Sequence, residues 1–306
     1  MAAGALDPEI AAAIVRHVDP AAEVVDVVAR TGGQLSAVFE VRCAERGVIV
    51  KVYADDWRWA RAKEVHVYGL LARHGVGPAP VVLHTGDHAG RAFTVLSLVP
   101  GRPLAETDLD SAQHHRIYRR LGEILASLHG IRQDAYGYLG THVLDPRPTN
   151  TAYMTGRFTE RLREFDGFGG DPALRRAVEA HVAERAGLFA HCRAPVLCHN
   201  DFHDGNVLVA EGPKGWEVTG FVDVENAAAA DPLVDLAKTD YYSIQGDEAK
   251  LAGLVEGYGP LPDGWRDRVA LYRVFHALEL WTWYASIGDT RFLADLADDV
   301  RRLVEA

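Results

Sequence analysis

The stretch CHNDFHDGN, residues 198–206, sets two histidines, two aspartates and two asparagines between the apolar runs APVL and VLVA. His199 and His203 have the H-x-x-x-H spacing that serves metal ligation on a helix, but Gly205 and a β-run follow at once, so the two rings do not share a helical face. The other pattern is His199, Asp201 and Asn206 as H-x-D-x-x-x-x-N, a carboxylate five residues before an amide on a loop that opens a strand. Further on, the run EVTGFVDVE contains Asp223. A hairpin with Asn206 at the start of one strand and Asp223 at the end of the other brings both side chains together, and oxygen donors of this kind suit Mg²⁺.

Upstream of this loop the chain has two textures. Residues 23–30 (EVVDVVAR), 37–42 (AVFEVR) and 47–53 (GVIVKVY) read as an antiparallel meander. WRWARAKEVHVYGLLARHG then reads as a helix ending at Gly75, followed by the apolar runs PVVLHT and RAFTVLSLV. VPGRPL breaks the pattern, which places a boundary between an N-lobe, residues 1–99, and a C-lobe, residues 100–306. The C-lobe reads as helices over 111–130, 171–191, 231–243, 265–287 and 289–304, with a strand-like patch at 195–222 and an irregular segment at about 131–157. In ADPLVDLAKTD, Asp231 and Pro232 form a helix start signal, while Asp235, one turn in, is not explained by capping.

Taken in order, these motifs resemble the aminoglycoside phosphotransferase and choline kinase group, small-molecule relatives of the protein kinases. Where protein kinases carry H-R-D-L-x-x-x-N and then D-F-G, this chain has His199-Asn200-Asp201 with Asn206, and Asp223-Val224-Glu225. The resemblance implies an α+β, protein-kinase-like two-lobed fold, with a small antiparallel-sheet N-lobe and a larger, mainly helical C-lobe. It implies Asp201 as catalytic base, Asn206 and Asp223 as Mg²⁺ ligands, and His199 and Asp235 as supports of the catalytic loop. On the nucleotide side it implies Lys51, one of only five lysines against 27 arginines, paired with Glu64. Ser36, ending the turn TGGQLS, stands where the family's phosphate loop lies, although no G-x-G-x-x-G is present. Ser97 and Val99, in VLSLVPG, stand where the family's linker meets the purine through its backbone. The donor is ATP or GTP.

The implied reaction moves the γ-phosphoryl group to a hydroxyl of a small, cationic acceptor such as an aminoglycoside or related antibiotic. Two sets of residues are candidates for holding it. Tyr272, His276, Glu279 and Trp283 form a mixed face beside the core stripe Leu271, Phe275, Leu278 and Trp281, and an aromatic and acidic face of that kind can hold an amine. Glu160, Glu164 and Asp166 form a second acidic set. A metabolic acceptor, such as choline, thiamine, an amino alcohol or a sugar, is the alternative. Two other classes compete. A metal hydrolase built on His199, Asp201 and His203 leaves Lys51 and Glu64 without roles, and a non-catalytic pseudokinase would more naturally have lost one of Lys51, Asp201, Asn206 or Asp223.

Composition narrows the partners. A net charge of −11 argues against nucleic-acid binding, which needs a basic face. No run approaches a membrane span and the first residues lack a signal-peptide charge pattern, so the expectation is a cytoplasmic protein without membrane partners. Cys43, Cys192 and Cys198 are widely spaced and read as reduced thiols.

Overall fold

The computed structural model describes residues 6–30, 36–213 and 215–306. Along the chain come α1 (Pro8–Val15), β1 (Val24–Arg30), β2 (Ser36–Cys43), β3 (Gly47–Tyr53), α2 (Arg58–His74), β4 (Val82–His88), β5 (Arg91–Ser97) and β6 (Arg102–Pro103). There follow α3 (Ser111–Leu128), β7 (Tyr136–Leu139), β8 (Val143–Arg147), α4 (Asn150–Gly167), α5 (Pro172–Arg185), β9 (Val196–Cys198), β10 (Val207–Gly212) and β11 (Gly215–Phe221). The last elements are β12 (Ala228–Ala230), α6 (Leu233–Thr239), α7 (Glu248–Tyr258), α8 (Trp265–Ser286) and α9 (Leu293–Glu305).

The first compact unit takes in the chain up to Glu106 with Gly140–His142 and Asn206–Glu225. Among its described residues an antiparallel sheet runs β1-β2-β3-β5-β4. Strand parity decides what each face carries. Val48, Val50 and Val52 of β3 join Phe39, Val41, Phe93 and Val95 in a core closed by Ala11, Ile14 and Val15 of α1. The intervening residues of β3 therefore point the other way, where Tyr53 packs on Ala60 of α2. α2 stops at Gly75, whose left-handed φ of 65° suits a residue without Cβ.

In the same unit β10 pairs with β11 on one side and with β6 on the other. Gly101 makes that second pairing possible: at φ 118°, a Cβ there would lie 2.5 Å from the carbonyl oxygen of Val209.

The second unit, Thr107–Leu139, Val143–Gly205 and Asn226–Ala306, is mainly helical. Its small sheet runs β8-β7-β12-β9. α8 is buried on two sides, since Tyr272 and His276 are as inaccessible as Leu271, Phe275, Leu278 and Trp281. α3 and α7 pack backbone to backbone, because Gly122, Gly253 and Gly257 leave no side chain in the seam.

Several boundaries differ from the sequence expectation. Helix α1 precedes the meander, capped by Asp7 with Pro8 in its first turn. The segment expected to be irregular, 131–157, contains β7, β8 and the start of α4, whose Met154, Phe158, Leu162 and Phe165 form a buried stripe. Helix α7 was not expected either. The helix expected over 231–243 is α6 followed by a π-helical turn, Asp240–Ile244. Asp231 does accept the Leu233 amide at 2.9 Å, but it is also fully buried and holds Arg268 at 3.1 Å and the Tyr272 hydroxyl at 2.8 Å.

Candidate active site

Both units carry polar residues singled out by the sequence. In the first, the parity of β3 turns Lys51 toward α2, where Glu64 Oε1 lies 2.7 Å from its Nζ. The ammonium also lies 3.6 Å from Asp223 and 3.9 Å from Glu225, and only 7% of the side chain is exposed. Burial alone would favour the neutral amine. Glu64 first, then Asp223 and Glu225, outweigh it and hold the ammonium charged well above the usual lysine range. The Tyr53 hydroxyl donates to the other oxygen of Glu64, so the carboxylate is fixed from two strand positions.

Asn206 and Asp223 stand at the open end of the β10–β11 hairpin, where Val207 pairs with Phe221. The carbonyl of Asn206 accepts the Val222 amide at 2.9 Å, which locks the chain just before Asp223. Asp223 adopts a left-handed φ of 68°, uncommon for a residue with a side chain, and its carboxylate is 28% exposed. An amide and a carboxylate, both partly accessible, form the hard oxygen set that a divalent cation such as Mg²⁺ prefers. Lys63, the neighbour of Glu64, is buried, and burial pushes its amine down to about 6 against the pull of Glu225.

Of the remaining first-unit candidates, Ser36 is a buried residue that opens β2. The rest of its turn, residues 31–35, lies outside the described residues, so the phosphate-loop expectation falls largely there. Ser97 ends β5 and accepts the Val81 amide on its hydroxyl at 2.9 Å, and Val99 is half-buried in the segment leading to β6.

In the second unit the loop of His199, Asn200 and Asp201 leaves β9 and is held from behind by Asp235 of α6. One carboxylate oxygen accepts the His199 amide at 2.8 Å, and the other accepts the Asn200 amide at 2.6 Å. His129 lies 3.0 Å from Asp235 and 2.9 Å from the Tyr258 hydroxyl. Burial of Asp235 would raise its pKa, yet the His129 contact, His199 and the backbone donors bring it below the usual range. Asn200 sits at φ 61°, so the brace maintains a left-handed turn just before Asp201.

Asp201 meets Lys238 at 3.3 Å, His203 at 3.6 Å and Asn226 at 3.4 Å. Burial pushes its carboxyl up, but Lys238 above all, then His203 and His199, hold it far below the usual range. His203 stacks on Tyr242 with centroids 5.6 Å apart, and its Nδ1 accepts the Gly205 amide. Asp204 accepts the Tyr118 hydroxyl at 2.6 Å and pairs with Lys250, which anchors the loop to α3 and α7.

Among the described residues, the donors that do converge as a metal trio are His129, Cys198 and Asp235, within 4.8 Å of one another. All three are engaged otherwise. Asp235 accepts two backbone amides, His129 bridges Asp235 and Tyr258, and Cys198 donates to the Asp231 carbonyl. The trio is a buried hydrogen-bonded brace.

The expected acceptor residues are divided between the core, the surface and charge pairs, and Arg157 joins Glu160 of one set to Glu279 of the other. Tyr272 is a core residue bonded to Asn150 and Asp231, and His276 is buried with Nε2 on the Val234 carbonyl. Glu279 pairs with Lys238 at 3.3 Å and Arg157 at 3.4 Å, whereas Trp283 is 43% exposed at the helix surface. Glu160 and Glu164 face Arg157 and Arg161, and Asp166 faces Arg175 at 2.7 Å. Sequence reading passed over Lys238, Asn226, His129 and Tyr242. The first had a signal, its i, i+3 spacing from Asp235 on one helix.

Among the described residues no helix is long and apolar enough to cross a membrane. The model of the phosphotransferase enzyme family matches residues 26–271. A probable ketoamine kinase of Vibrio vulnificus is 24% identical over 265 residues, 84% of this chain and 86% of its own length. Among solved structures, a candidate fructosamine-3-kinase of Thermobifida fusca superposes with a TM-score of 0.72 at 23% identity, covering 96% of this chain and 98% of that one. A thermostable mutant of aminoglycoside phosphotransferase APH(4)-Ia, in complex with ADP and hygromycin B, also gives 0.72, at 16% identity over 95% of this chain and 96% of that one. The fold is thus the kinase-like α+β fold, and the chain belongs to the phosphotransferase enzyme family as a small-molecule kinase.

Proposed function

We propose that this enzyme transfers the γ-phosphoryl group of ATP to a hydroxyl of a sugar-like acceptor bearing an amine, of the ketoamine, fructosamine or aminoglycoside type. The observation that carries the reading is the Lys51–Glu64 pair, held at 2.7 Å with Asp223 beside it. That is the charge arrangement by which kinases neutralise and orient nucleotide phosphates. A metal hydrolase would give Lys51 and Glu64 nothing to do.

In the proposed reaction, the acceptor oxygen bonds to the γ-phosphorus as the bond to the leaving ADP breaks, and the hydroxyl proton passes to Asp201. Asn206 and Asp223 would hold Mg²⁺, which when bound spreads the phosphate charge. Because the transition state is loose, orientation matters more than base strength, and a weakly basic Asp201 suffices. Among the acidic residues expected to hold a cationic acceptor, Glu160, Glu164, Asp166 and Glu279 each have an arginine or lysine partner. That neutralisation favours a hydroxyl-rich acceptor with few amines over a polycation.

The test is a panel of a fructosamine, ribosylated and fructosylated amines, hygromycin B, choline and thiamine, each with ATP and with GTP, read as a mass gain of one phosphate. Phosphorylation of an amino sugar that is lost in Asp201→Ala, with nucleotide binding retained, is the expected result. No product from any acceptor, with no nucleotide-induced thermal shift, would overturn the reading.

A further inference from the structure

Asp235 and Lys238 lie three residues apart on α6, and both reach the loop of Asp201. Asp235 takes the loop's backbone, while Lys238 takes its carboxylate. The ammonium of Lys238 lies 3.3 Å from Asp201 Oδ1, 3.3 Å from Glu279 Oε2 of α8 and 4.3 Å from the centre of the Tyr242 ring, with 6% of the side chain exposed. Three directions are thereby occupied by two carboxylates and an aromatic face, matching its three N–H donors. An incidental surface lysine would snorkel toward water. This one is enclosed by groups from three separate elements.

We propose that Lys238 is the positioning residue for the catalytic carboxylate, clamping Asp201 Oδ1 in one orientation while Glu279 and Tyr242 hold the clamp itself. The inference rests on the reading of Asp201 as the base. Around Asp201 stand His199 and His203 from its own loop, Asn226 from the segment before β12, and Lys238 from α6. Around Lys238 stand Tyr242, and Glu279 with its own partners His276 of α8 and Arg157 of α4. With the ammonium in place, the Asp201 carboxyl is held below the usual carboxylate range, and turnover should show no acid limb due to it across pH 5–9. Without it, burial is opposed by His203 and His199 alone among the named groups, and the carboxyl pKa rises.

The experiment compares wild type, Lys238→Met, Lys238→Arg and Asp201→Asn, with ATP and either a fructosamine or hygromycin B as acceptor, across pH 5–9. Lys238→Met should lower kcat at pH 7 by about 100-fold, the scale of a misplaced reacting group, with the acceptor KM within about threefold. Its kcat should recover as pH rises through a new acid limb, and Lys238→Arg should lack that limb. A kcat for Lys238→Met near wild type, or a loss equal at every pH, would overturn the proposal. If Lys238→Met fails to fold, the double variant Lys238→Met/Glu279→Gln, which removes one charge of each sign, is held to the same two criteria. Asp201→Asn separates the failures. Wild-type turnover in that variant sinks the base itself, whereas an inactive Asp201→Asn beside a normal Lys238→Met sinks only the clamp.

Discussion

Replacing Asp235 with asparagine probes how the loop of Asp201 is held. The carboxylate is fully buried and uses both oxygens, one for the Asn200 amide at 2.6 Å and one for the His199 amide at 2.8 Å and His129 at 3.0 Å. An asparagine side chain is isosteric but has a single acceptor oxygen. Whichever way it is turned, one backbone N–H then faces an NH₂ group. The loss is one hydrogen bond to a charged acceptor, about 1.5–3 kcal/mol, together with about 1–3 kcal/mol for the buried donor left without a partner. We expect a total near 4 kcal/mol in urea unfolding followed by circular dichroism. Asn200 at φ 61° should relax once released, and if about 3 kcal/mol of that cost appears in the transition state, kcat falls by on the order of 100-fold. Nucleotide affinity should hold, since no first-unit residue is altered. A variant within about 1 kcal/mol of wild type and with normal kcat would refute the idea that Asp235 sets the loop geometry.

Three further outcomes test other parts of the account. Asp223→Ala should abolish the Mg²⁺ dependence of nucleotide binding measured by calorimetry, and unchanged Mg²⁺ dependence would remove Asp223 from the ligand set. Lys63→Met should stabilise the protein at pH 7. The folded-state pKa of about 6 lies below the ordinary lysine value near 10.4, so the unfolded chain binds the extra proton between those values, and wild-type stability should climb with pH from about 6 to 10. The slope should flatten in the variant, and an equally steep slope would refute the assignment. The same substitution should act in opposite directions at two glycines. Gly257→Ala puts a Cβ 1.8 Å from the Arg119 carbonyl oxygen and should destabilise by about 2 kcal/mol, whereas Gly156→Ala meets open space on an exposed helix position and should stabilise by about 0.5–1 kcal/mol. Thermal melts that move the same way for both would contradict the packing described for α3 and α7.

The residues proposed for the chemistry could be picked out along the chain because their grouping depends on spacing within one element or across one turn. His199, Asp201 and Asn206 belong to one loop, Asp223 lies just beyond the strand paired with the one that Asn206 precedes, and Lys51 and Glu64 sit on a strand and the helix that follows it. Parity in β3 and the 3.6-residue period in α2 are local rules, and they determine which face each side chain takes. The kinase-like order of motifs was legible as a resemblance, carried by the H-x-D-x-x-x-x-N loop and the triplet Asp223-Val224-Glu225. Helix α7 was not legible because Gly253 and Gly257 weaken helix propensity, and their reason for being there is α3, more than a hundred residues upstream. On α4, Glu160 and Glu164 pair with Arg157 and Arg161 at an i, i+3 spacing that the chain already shows, whereas Asp166 meets Arg175 of α5 only through packing. Lys238 could be placed on the same helical face as Asp235 from its spacing, but not next to Asp201 and Glu279. The sequence by itself determined which residues could do the chemistry, through local periodicity and motif order. The pairs between elements, Asp166 with Arg175 and Lys238 with Asp201 and Glu279, were decided only by tertiary packing, because the strength of an ion pair depends on a distance and a burial that no spacing along the chain contains.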